Sequence, residues 1–592
     1  MRLASLNIKN FRKIEELNIA IPPGLCVIVG ENNSGKTAIM DALRLLLFSS
    51  RDYDTVRLNE DDFRSGTDYV PIEISCLFSD TTEEEEANFL ECLVQSGDEL
   101  FQIQLNFRAE FNKNTRKVNY KYWGGATEGG TLPSSFYDRI AAIYLQPLRD
   151  PETGLRPGKY SQVSRLLDSL TRPDERAAFE DIARTANENI KSLSQIKSAQ
   201  ADINSHMESI TGKQLTQKVE LLFNDPEFYK IISGLYPEIE GLPFTLNGLG
   251  YNNLIFTSMT LGTLKRSPHY LYRSIIIEEP EAHLHPQLQT LLLQHFSAVS
   301  QPDQGDADHD DADQGDTDHG GASQEEATQE VTSGRKPVQV IASSHSPILV
   351  SQAPLNSIVA VHEYDNKITT TSIYTIKMAQ ETKKKLERFL DTTRSELFFA
   401  RKLIMVEGIS EAILLPVLAR MAGGNIKESA VTILNADGLN FNCFLPLFGA
   451  ESLRFPVVIL TDGDAKQRGD SASDTFLALQ GKVKDISNVS VFNSEITFEH
   501  ELARCADLLA AAIETFCSLH PQVGKKLNDE INKESDKDER ADIFFKYFKQ
   551  SIKSKGVFAQ ELAYILEVKY PTGIIDIPLY IKNALKALNI IP

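Results

Sequence analysis

The chain has 592 residues, enough for two to four domains of about 150 residues each. Lys and Arg total 61 and Asp and Glu total 82, which gives a net charge of −21. Hydrophobic residues are 42% and charged residues 24%, which excludes a wholly disordered, collagenous or disulfide-scaffold chain. The six scattered cysteines form no CxxC pair, which argues against a zinc ribbon. Apolar runs are too short for a membrane span and no signal peptide is recognisable, so we expect a cytoplasmic protein without membrane contact.

Residues 301–336 carry much of the acidity. This segment has eight Asp, three Glu, one Arg and one Lys, a net charge of −9, and contains the similar patterns DQGDADH and DQGDTDH. A segment so charged and so poor in apolar residues cannot bury enough surface to fold. We therefore predict a disordered insertion. The remaining charge of −12 does not exclude a nucleic-acid partner that binds a local basic surface.

The first 235 residues contain three predicted types of structure. Residues 1–29 alternate as two strands and end in an apolar third strand, LCVIVG, and apolar residues recur at helical spacing over Lys36–Leu47. Residues 70–122 resemble several strands separated by turns. Residues 160–235 are polar, rich in Glu, Lys and Gln and mostly free of Pro and Gly, which predicts helices. This helical segment is a candidate oligomerisation element; a helical layer over the core is the alternative.

Residues 30–37 read GENNSGKT, a full match to the phosphate-binding pattern GxxxxGK[ST], between an apolar strand and a helix. The two glycines let successive backbone N–H groups face phosphates, and the helix N-terminus adds positive charge. Lys36 is predicted to contact the β and γ phosphates, and the Thr37 hydroxyl to ligate Mg²⁺. The predicted nucleotide-binding residues of this loop are Gly30, Asn32, Asn33, Ser34, Gly35, Lys36 and Thr37.

Later segments supply predicted partners of this loop. The apolar strand Arg273–Ile277 leads into two acids, as a Walker B strand does. Glu278 would hold Mg²⁺, and Glu279 would polarise the attacking water. His345 follows the next predicted strand and would lie beside the γ-phosphate as a sensor. Gln146 follows the apolar stretch IYL and is a candidate contact of the metal or the water.

These pieces resemble the ABC-type ATPase fold of SMC and RecF proteins, over residues 1 to about 375. The segment Asn247–Asn253 is similar to the signature loop of that group, although Asn stands where Ser is common. In ABC proteins this loop completes the nucleotide site of a second subunit, so the resemblance implies a homo-oligomer, a dimer or a tetramer. The sequence has no long heptad arms and no CxxC hook, which argues against a true SMC protein.

A second α/β unit with four acids follows a predicted helical connector. Glu407 follows one predicted strand and Glu411 lies in the first turn of the next helix, whereas Asp462 and Asp464 follow a second strand. Because the carboxyl ends of parallel strands meet in one crevice, we expect these acids to converge. Clustered carboxylates repel one another unless cations neutralise them, and oxygen ligands favour Mg²⁺ or Mn²⁺. The sequence thus predicts a divalent-metal site.

The pattern EGxSE followed by DGD resembles a Toprim domain. Thr497–Leu502, TFEHEL, is similar to the third acidic motif of the OLD (overcoming lysogenization defect) nucleases, and Ser554–Ala559, SKGVFA, to their late lysine motif. An ABC-type ATPase followed by a Toprim domain is the OLD arrangement, so the resemblance covers nearly the whole chain. The family includes the nuclease subunit of the Gabija antiphage system. Glu499 and Glu501 are both candidates for the third acid.

The resemblance implies an ATP-regulated, divalent-metal-dependent DNA endonuclease with two-metal chemistry and an antiphage role. Its implied cofactors are ATP and Mg²⁺ or Mn²⁺. Its implied partners are DNA and a companion defence protein, either helicase-like or a retron reverse transcriptase with its DNA. The implied ligands are Glu407, Asp462 and Asp464 for one ion and Glu411, Glu499 and Thr497 for the other, with Lys555 neutralising phosphate charge and Lys466 and Arg468 as candidate contacts of the DNA backbone.

The predicted fold is α/β. An N-terminal ABC/SMC-like P-loop ATPase with a helical insertion precedes a C-terminal Toprim domain, which is a Rossmann-like parallel sheet with helical additions. The predicted boundaries are residues 1–160 and 236–375 for the two parts of the ATPase, 161–235 for the helical segment, 376–401 for the helical connector and 402–592 for the Toprim domain.

Two other classes of function stay open at this point. One is an ATP-dependent DNA-binding or clamp protein with an inactive Toprim fold, against which the intact acids argue. The other is a Toprim topoisomerase or primase. Such primases usually carry a zinc module that this cysteine spacing does not support, and a topoisomerase needs a tyrosine on a separate DNA-binding domain that is not recognisable here.

Overall fold

The computed structural model describes residues 1–48, 56–64, 66–96, 100–129, 132, 134–147, 154–222, 226–266, 269–301, 337–571 and 575–592. The predicted disordered insertion, apart from Gln301, lies outside the described residues. The chain divides into two compact units, one containing Met1 with Pro133–Ile341 and the other containing Arg2–Leu132 with Ala342–Pro592. In the part of the chain described, no helix is both long and apolar enough to cross a bilayer.

An antiparallel sheet opens the second unit, and its alternating sequence explains why one face is buried. Leu6 and Ile8 are fully buried, whereas polar residues between them are not. The elements of this part are β1 (Arg2–Phe11), β2 (Ile14–Ala20), β3 (Leu25–Gly30), α1 (Lys36–Leu47), β4 (Ile72–Ser79), α2 (Glu83–Asn88), β5 (Leu93–Ser96), β6 (Leu100–Asn112) and β7 (Lys117–Gly124). The sheet order is β2-β1-β4-β6-β5, and β7 also pairs with β6.

The first unit combines parallel strands with helices. Its elements are β8 (Ile140–Leu145), α3 (Gln162–Leu170), α4 (Arg176–Ser192), α5 (Ser194–Thr211), α6 (Phe228–Ile232), β9 (Glu238–Ile239), β10 (Leu242–Pro243), α7 (Leu249–Arg266), β11 (Tyr272–Glu278) and α8 (Pro286–Val299). Strands β8 and β11 are parallel, with Leu145 beside Ile277. Helices α3 to α6 occupy the segment predicted to be helical. Helix α5 has no buried residue; its role in oligomerisation stays a prediction.

The second unit resumes within β12 (Gln339–Ser344) and returns to the phosphate-loop strand. Its next elements are α9 (Pro347–Gln352), β13 (Ile358–Tyr364), β14 (Lys367–Ser372) and α10 (Gln380–Phe389). Strand β13 pairs antiparallel with β14 and parallel with β3, placing Val361 beside Gly30. The predicted helical connector is in two pieces, α10 and a 3₁₀ helix at Arg394–Phe399. Leu397 and Phe398 in the second piece are fully buried, so the connector is packed into this unit.

Four parallel strands and their helices complete the chain. The order of the sheet is β16-β15-β17-β18, with all neighbours parallel, so the carboxyl ends of all four strands lie along one edge. The elements are β15 (Lys402–Val406), α11 (Ile409–Met421), β16 (Val431–Asn435), α12 (Phe441–Phe444), β17 (Val457–Thr461), α13 (Asp474–Val483), β18 (Val489–Asn493), α14 (Phe498–Ala503), α15 (Ala506–Leu519), α16 (Pro521–Ile531), α17 (Lys537–Ser551), α18 (Lys555–Lys569) and α19 (Leu579–Ala587).

A continuous apolar core fixes α11 and α18 against this sheet. It includes Ile404 on β15, Leu414 and Leu418 on α11, and Phe558 and Leu562 on α18, all nearly or fully buried. Burying an aliphatic or aromatic side chain of this size contributes about 1.5–3 kcal/mol. The same packing brings the first turns of α11 and α18 to the site described below.

Gly463, immediately beyond β17, is required by a close approach of two backbone segments. A Cβ atom there would lie 2.4 Å from the carbonyl oxygen of Ser494 and 2.8 Å from that of Glu495. Gly463→Ala should therefore destabilise the protein by about 1–3 kcal/mol in urea unfolding, because backbone must move to admit the methyl group. Gly481→Ala is the matched control, since a Cβ at this helical position meets nothing within 4 Å. Equal stability of the two variants would contradict this account.

Candidate functional site

Glu407 and Asp462 lie side by side because their strands are neighbours. Val406 at the end of β15 pairs with Leu460 on β17, and each acid follows its strand within two residues. The Thr461 hydroxyl donates to Oε2 of Glu407 at 2.9 Å, and the backbone N–H of Asp462 donates to the same oxygen at 3.3 Å. The end of β17 therefore orients the carboxylate of Glu407, which follows β15.

The carboxylate of Asp462 is held in the same manner. Its Oδ1 accepts a hydrogen bond from the Ser494 hydroxyl at 2.9 Å and another from the backbone N–H of Phe498 at 2.8 Å. Sequence reasoning missed both orienting hydroxyls. Thr461 could have been found beside the acids in TDGD, whereas Ser494 reaches the site only because β18 lies next to β17.

Glu411 and Glu499 join the same cluster from two helices. Burial raises the pKa of Glu411 to about 7, and the carboxylates of Glu499 and Glu407 add to this rise. Burial, followed by the charges of Glu411, Glu407 and Glu499, raises the pKa of Asp462 well above its usual 3.8. Burial and neighbouring carboxylates thus oppose the ionisation of Glu411 and Asp462, an arrangement that a bound cation would relieve.

Lys555 supplies a positive charge at the edge of this cluster. Its Nζ lies 2.9 Å from Oε1 of Glu499, which is buried. Burial lowers the pKa of Lys555, but the carboxylates of Glu499, Asp462 and Glu411 outweigh that effect and hold it above its usual 10.5. The lysine therefore stays charged, and its ammonium group interacts with three of the four carboxylates.

The alternatives Glu499 and Glu501 have different surroundings. Glu501 Oε1 accepts from Arg504 at 3.2 Å, and Arg504 also binds Glu495 at 3.1 Å and Asp538 at 2.8 Å. Glu501 thus belongs to an ion-pair network that joins α14 to α17. Glu499 instead faces the cluster and pairs with its lysine, so the geometry favours it as the third acidic position.

Other predicted site residues take different positions. Asp464 is exposed, with a backbone φ of 50°. The Thr497 hydroxyl accepts from the backbone N–H of His500 at 3.4 Å and caps α14. Arg468 lies 3.2 Å from Asp538 and contributes to the same ion-pair network. Lys466 is exposed. Metal binding by Asp464 and Thr497 stays a prediction.

Tyr580 was also missed by sequence reasoning. Burial and then the charges of Asp462, Glu411, Glu501 and Glu499 raise the pKa of its phenol well above 10. The phenol consequently stays protonated near the cluster. No sequence pattern links α19 to the acids, since only packing brings the tyrosine to them.

The donor chemistry of the cluster fits a hard divalent cation. Oε2 of Glu499 is buried and makes no hydrogen bond, which is costly unless a cation or another donor compensates it. Among the described residues, no three His, Cys, Asp or Glu side chains are already grouped as ligands of a single ion. Metal binding by these acids therefore stays a prediction.

The phosphate loop in the second unit has the backbone that its sequence predicted. Gly30 and Gly35 have φ of 156° and 101°, and a Cβ on Gly30 would lie 2.3 Å from the carbonyl oxygen of Val361. Lys36 Nζ donates to the carbonyl oxygens of Gly30 at 2.7 Å and Glu31 at 2.5 Å. Ser34 and Lys36 are buried, whereas the three further predicted contacts, Asn32, Asn33 and Thr37, are exposed.

The predicted catalytic acids of the ATPase lie in the first unit. The hydroxyl of Tyr144 on β8 donates to Oε1 of Glu278 at 2.7 Å, and Glu278 is buried at the end of β11. Glu279 follows with φ 47° and is half-buried. Gln146 is exposed just beyond β8. In the second unit, His345 is half-buried directly after β12.

The raised pKa of Glu411 sets a pH dependence of stability. Between its usual 4.5 and about 7 the folded carboxyl binds more protons than the unfolded one, so its contribution to stability falls as pH rises. Relative to wild type, the free energy of unfolding of Glu411→Gln should therefore rise by on the order of 2–3 kcal/mol between pH 5 and pH 8. Urea unfolding in EDTA measures this difference. A constant difference between the two proteins across this range would contradict the shift.

Two family models and several relatives match this chain. A family model described as "AAA ATPase domain" matches residues 1–123 and 140–350. A model described as "Overcoming lysogenization defect protein-like, TOPRIM domain" matches residues 398–464. Endonuclease GajA of Bacillus cereus is 23% identical over 590 residues, covering 85% of this chain and 82% of that protein.

Two further similarities concern OLD proteins. The OLD nuclease of Thermus scotoductus is 24% identical over 317 residues, covering 51% of this chain and 57% of the relative. A solved C-terminal region of the Burkholderia pseudomallei OLD protein is 23% identical, with a TM-score of 0.26 over 32% of this chain and 98% of that one.

The family matches confirm the predicted α/β fold class and the resemblance to the OLD family. The names of the relatives agree with the predicted class of enzyme, an endonuclease with an ATPase domain. The chain therefore belongs to the AAA ATPase domain family and carries an OLD-like TOPRIM domain in its C-terminal part.

Proposed function

We propose that this protein is a divalent-metal-dependent DNA endonuclease whose activity is regulated by ATP. The observation that carries the proposal is the cluster of Glu407, Glu411, Asp462 and Glu499, desolvated and beside Lys555 at the carboxyl edge of a parallel sheet. Two curated relatives bear the names endonuclease and nuclease, which supports this class of reaction.

The residues have separate tasks in the proposed cleavage. Glu407 and Asp462 on adjacent strands would hold one Mg²⁺ or Mn²⁺, with Asp464 at the exposed rim. Glu411 and Glu499 on two helices would hold a second, with Thr497 nearby in sequence. Bound cations would activate water and stabilise the leaving oxygen of the phosphodiester.

Lys555 has a role of its own in this proposal. Its charged ammonium group lies beside Glu499 and would neutralise negative charge that develops on the scissile phosphate. The acidic crevice needs this cation and the metals to accept a polyanionic strand, because its own carboxylates repel DNA.

The phosphate loop is proposed to bind ATP. Lys36 would leave its contacts with the loop carbonyls for the phosphates, and Thr37 would contact the nucleotide's Mg²⁺. The roles predicted for Glu278, Glu279, Gln146 and His345 in ATP hydrolysis stay predictions. An assembly of two or four copies, an antiphage role and a companion protein remain predictions.

The central prediction uses a matched pair of acids on one helix. Glu499→Gln should reduce the rate of supercoiled-plasmid cleavage with Mg²⁺ or Mn²⁺ by at least about 100-fold. This loss exceeds the one expected for a residue that only holds a metal ligand in place. Glu501→Gln should lose less than about tenfold, because Glu501 pairs with Arg504 outside the cluster.

The plasmid assay also separates this proposal from other classes of function. Equal losses in the two variants would refute the assignment of Glu499. A wild type that binds DNA but never cuts it, with or without ATP, would instead favour a DNA-binding or clamp protein. A covalent protein–DNA adduct would favour a topoisomerase.

The hydrogen bond from Thr461 to Glu407 gives a second prediction. Thr461→Val removes the donor with little change of shape, so the Mg²⁺ concentration for half-maximal cleavage should rise about 10-fold to 100-fold. Thr461→Ser, which keeps the hydroxyl, should restore the wild-type requirement. An unchanged requirement in Thr461→Val would show that the backbone N–H of Asp462 alone orients Glu407.

A further inference from the structure

One ion pair joins the phosphate loop to the strand that carries the first metal-site acid. Nε of Arg401 donates to Oε2 of Glu31, the second residue of the loop sequence GENNSGKT. Arg401 immediately precedes β15, and Glu407 immediately follows it. Both residues of the pair belong to the second compact unit. The pair therefore stands at the start of a five-residue strand that ends at the carboxylate cluster.

The loop is arranged in a way that a bound nucleotide must change. Lys36 Nζ donates hydrogen bonds to the carbonyl oxygens of Gly30 and Glu31. In the proposed nucleotide complex this ammonium group turns to the phosphates and leaves the backbone of Glu31. A polyphosphate also repels the carboxylate of Glu31 and attracts the guanidinium of Arg401. Nucleotide binding thus acts directly on both partners of the ion pair.

A displacement at Arg401 has a direct structural route to Glu407. Strand β15 is hydrogen-bonded on both sides, to β16 and to β17, and spans roughly 17 Å. The residues before Arg401 pack into the same unit, since Ala400 and Phe398 are buried. A central strand held in this way moves as one piece. Metal ligation is sensitive to shifts of about 0.2 Å, so a small movement of β15 suffices to change it.

A second contact ties the connector to the same edge of the sheet. Nε of Arg394 donates to the carbonyl oxygen of Asn435 at 2.9 Å, at the end of β16. The backbone N–H of Gly438, just beyond, donates to the carbonyl oxygen of Glu407 at 2.7 Å. The connector therefore touches the phosphate loop at one end of the sheet and the backbone around Glu407 at the other.

We propose that Arg401 is the residue through which nucleotide occupancy of the phosphate loop reaches the carboxylate cluster. Its pairing with Glu31 holds β15 in one position, and release or sharing of the guanidinium with phosphates shifts the strand to another. Because coupling between two sites is reciprocal, occupation of the nuclease site also changes nucleotide affinity. This proposal rests on the proposed function and specifies how that nuclease site is regulated.

The test is plasmid cleavage by the full chain with Mg²⁺, with and without a non-hydrolysable ATP analogue. Wild type should change its rate at least fivefold between the two conditions. Arg401→Ala should show less than a twofold change in cleavage rate between the two conditions, because the ion pair on which the nucleotide acts is already absent. Glu31→Gln should lose the response equally. Arg388→Ala, which removes an exposed arginine on α10, is the matched control and should respond as wild type does.

A fluorescent ATP analogue must bind Arg401→Ala, so that a lost response cannot reflect an empty loop. The proposal is overturned if Arg401→Ala binds nucleotide and still responds as wild type does. It is equally overturned if wild type cleaves DNA at one rate whatever the nucleotide. Loss of the response in Arg388→Ala as well would show a general effect of removing charge.

Hydrogen exchange keeps the proposal testable if no DNA is cleaved. The absence of cleavage under all metal conditions counts against the proposed function, not against the coupling. Amide exchange in peptides covering residues 402–410 should change when the ATP analogue binds wild type and stay unchanged when it binds Arg401→Ala. Identical exchange responses in the two proteins would refute the role of Arg401 without any reference to nuclease activity.

Discussion

Burial of neighbouring carboxyl groups in one crevice is the constraint on which the C-terminal half of this protein depends. Glu411 and Asp462 resist ionisation first because they are buried and then because each faces other carboxylates. A fold tolerates such strain only where surrounding structure enforces it. Here the apolar core behind α11 and α18 holds the carboxyl groups in place, together with hydroxyl and N–H donors at the strand ends. A divalent cation that bound there would relieve the repulsion and so would also stabilise the fold.

The parallel sheet makes this arrangement possible with few specialised residues. Parallel neighbours bring the end of β15 and the end of β17 to one edge, so two acids distant in sequence become adjacent. The helices then contribute one acid each, and the first turn of α18 contributes Lys555. Each carboxylate on a strand end has one oxygen occupied by protein donors, which leaves its other oxygen for a ligand. Orientation by fixed donors is what distinguishes a preorganised site from a patch of surface acids.

The connector gives the proposed nucleotide site and the proposed metal site a route of contact within one compact unit. Its buried residues allow little independent motion, and its last residue, Arg401, pairs with the phosphate loop. An exposed ion pair contributes little stability by itself. Its importance lies in position, because one partner belongs to a loop whose charge changes on ligand binding. The other partner, Arg401, precedes the strand that ends beside Glu407. A weak interaction at Arg401 can therefore bias the position of that strand.

The sequence by itself determined the local structures whose signals are short-range. GENNSGKT specified its loop and helix through glycine conformation, and the strand Lys402–Val406 and the acids after two apolar strands followed from hydrophobic pattern. Nothing local distinguished Glu499 from Glu501, two residues apart on one short helix. Only tertiary packing placed one against Lys555 and the other against Arg504. The hydrogen bond from Ser494, the position of Tyr580 near the acids and the pairing of Glu31 with Arg401 were likewise decided by packing. Contacts between residues tens or hundreds of positions apart leave no periodic trace in a single sequence.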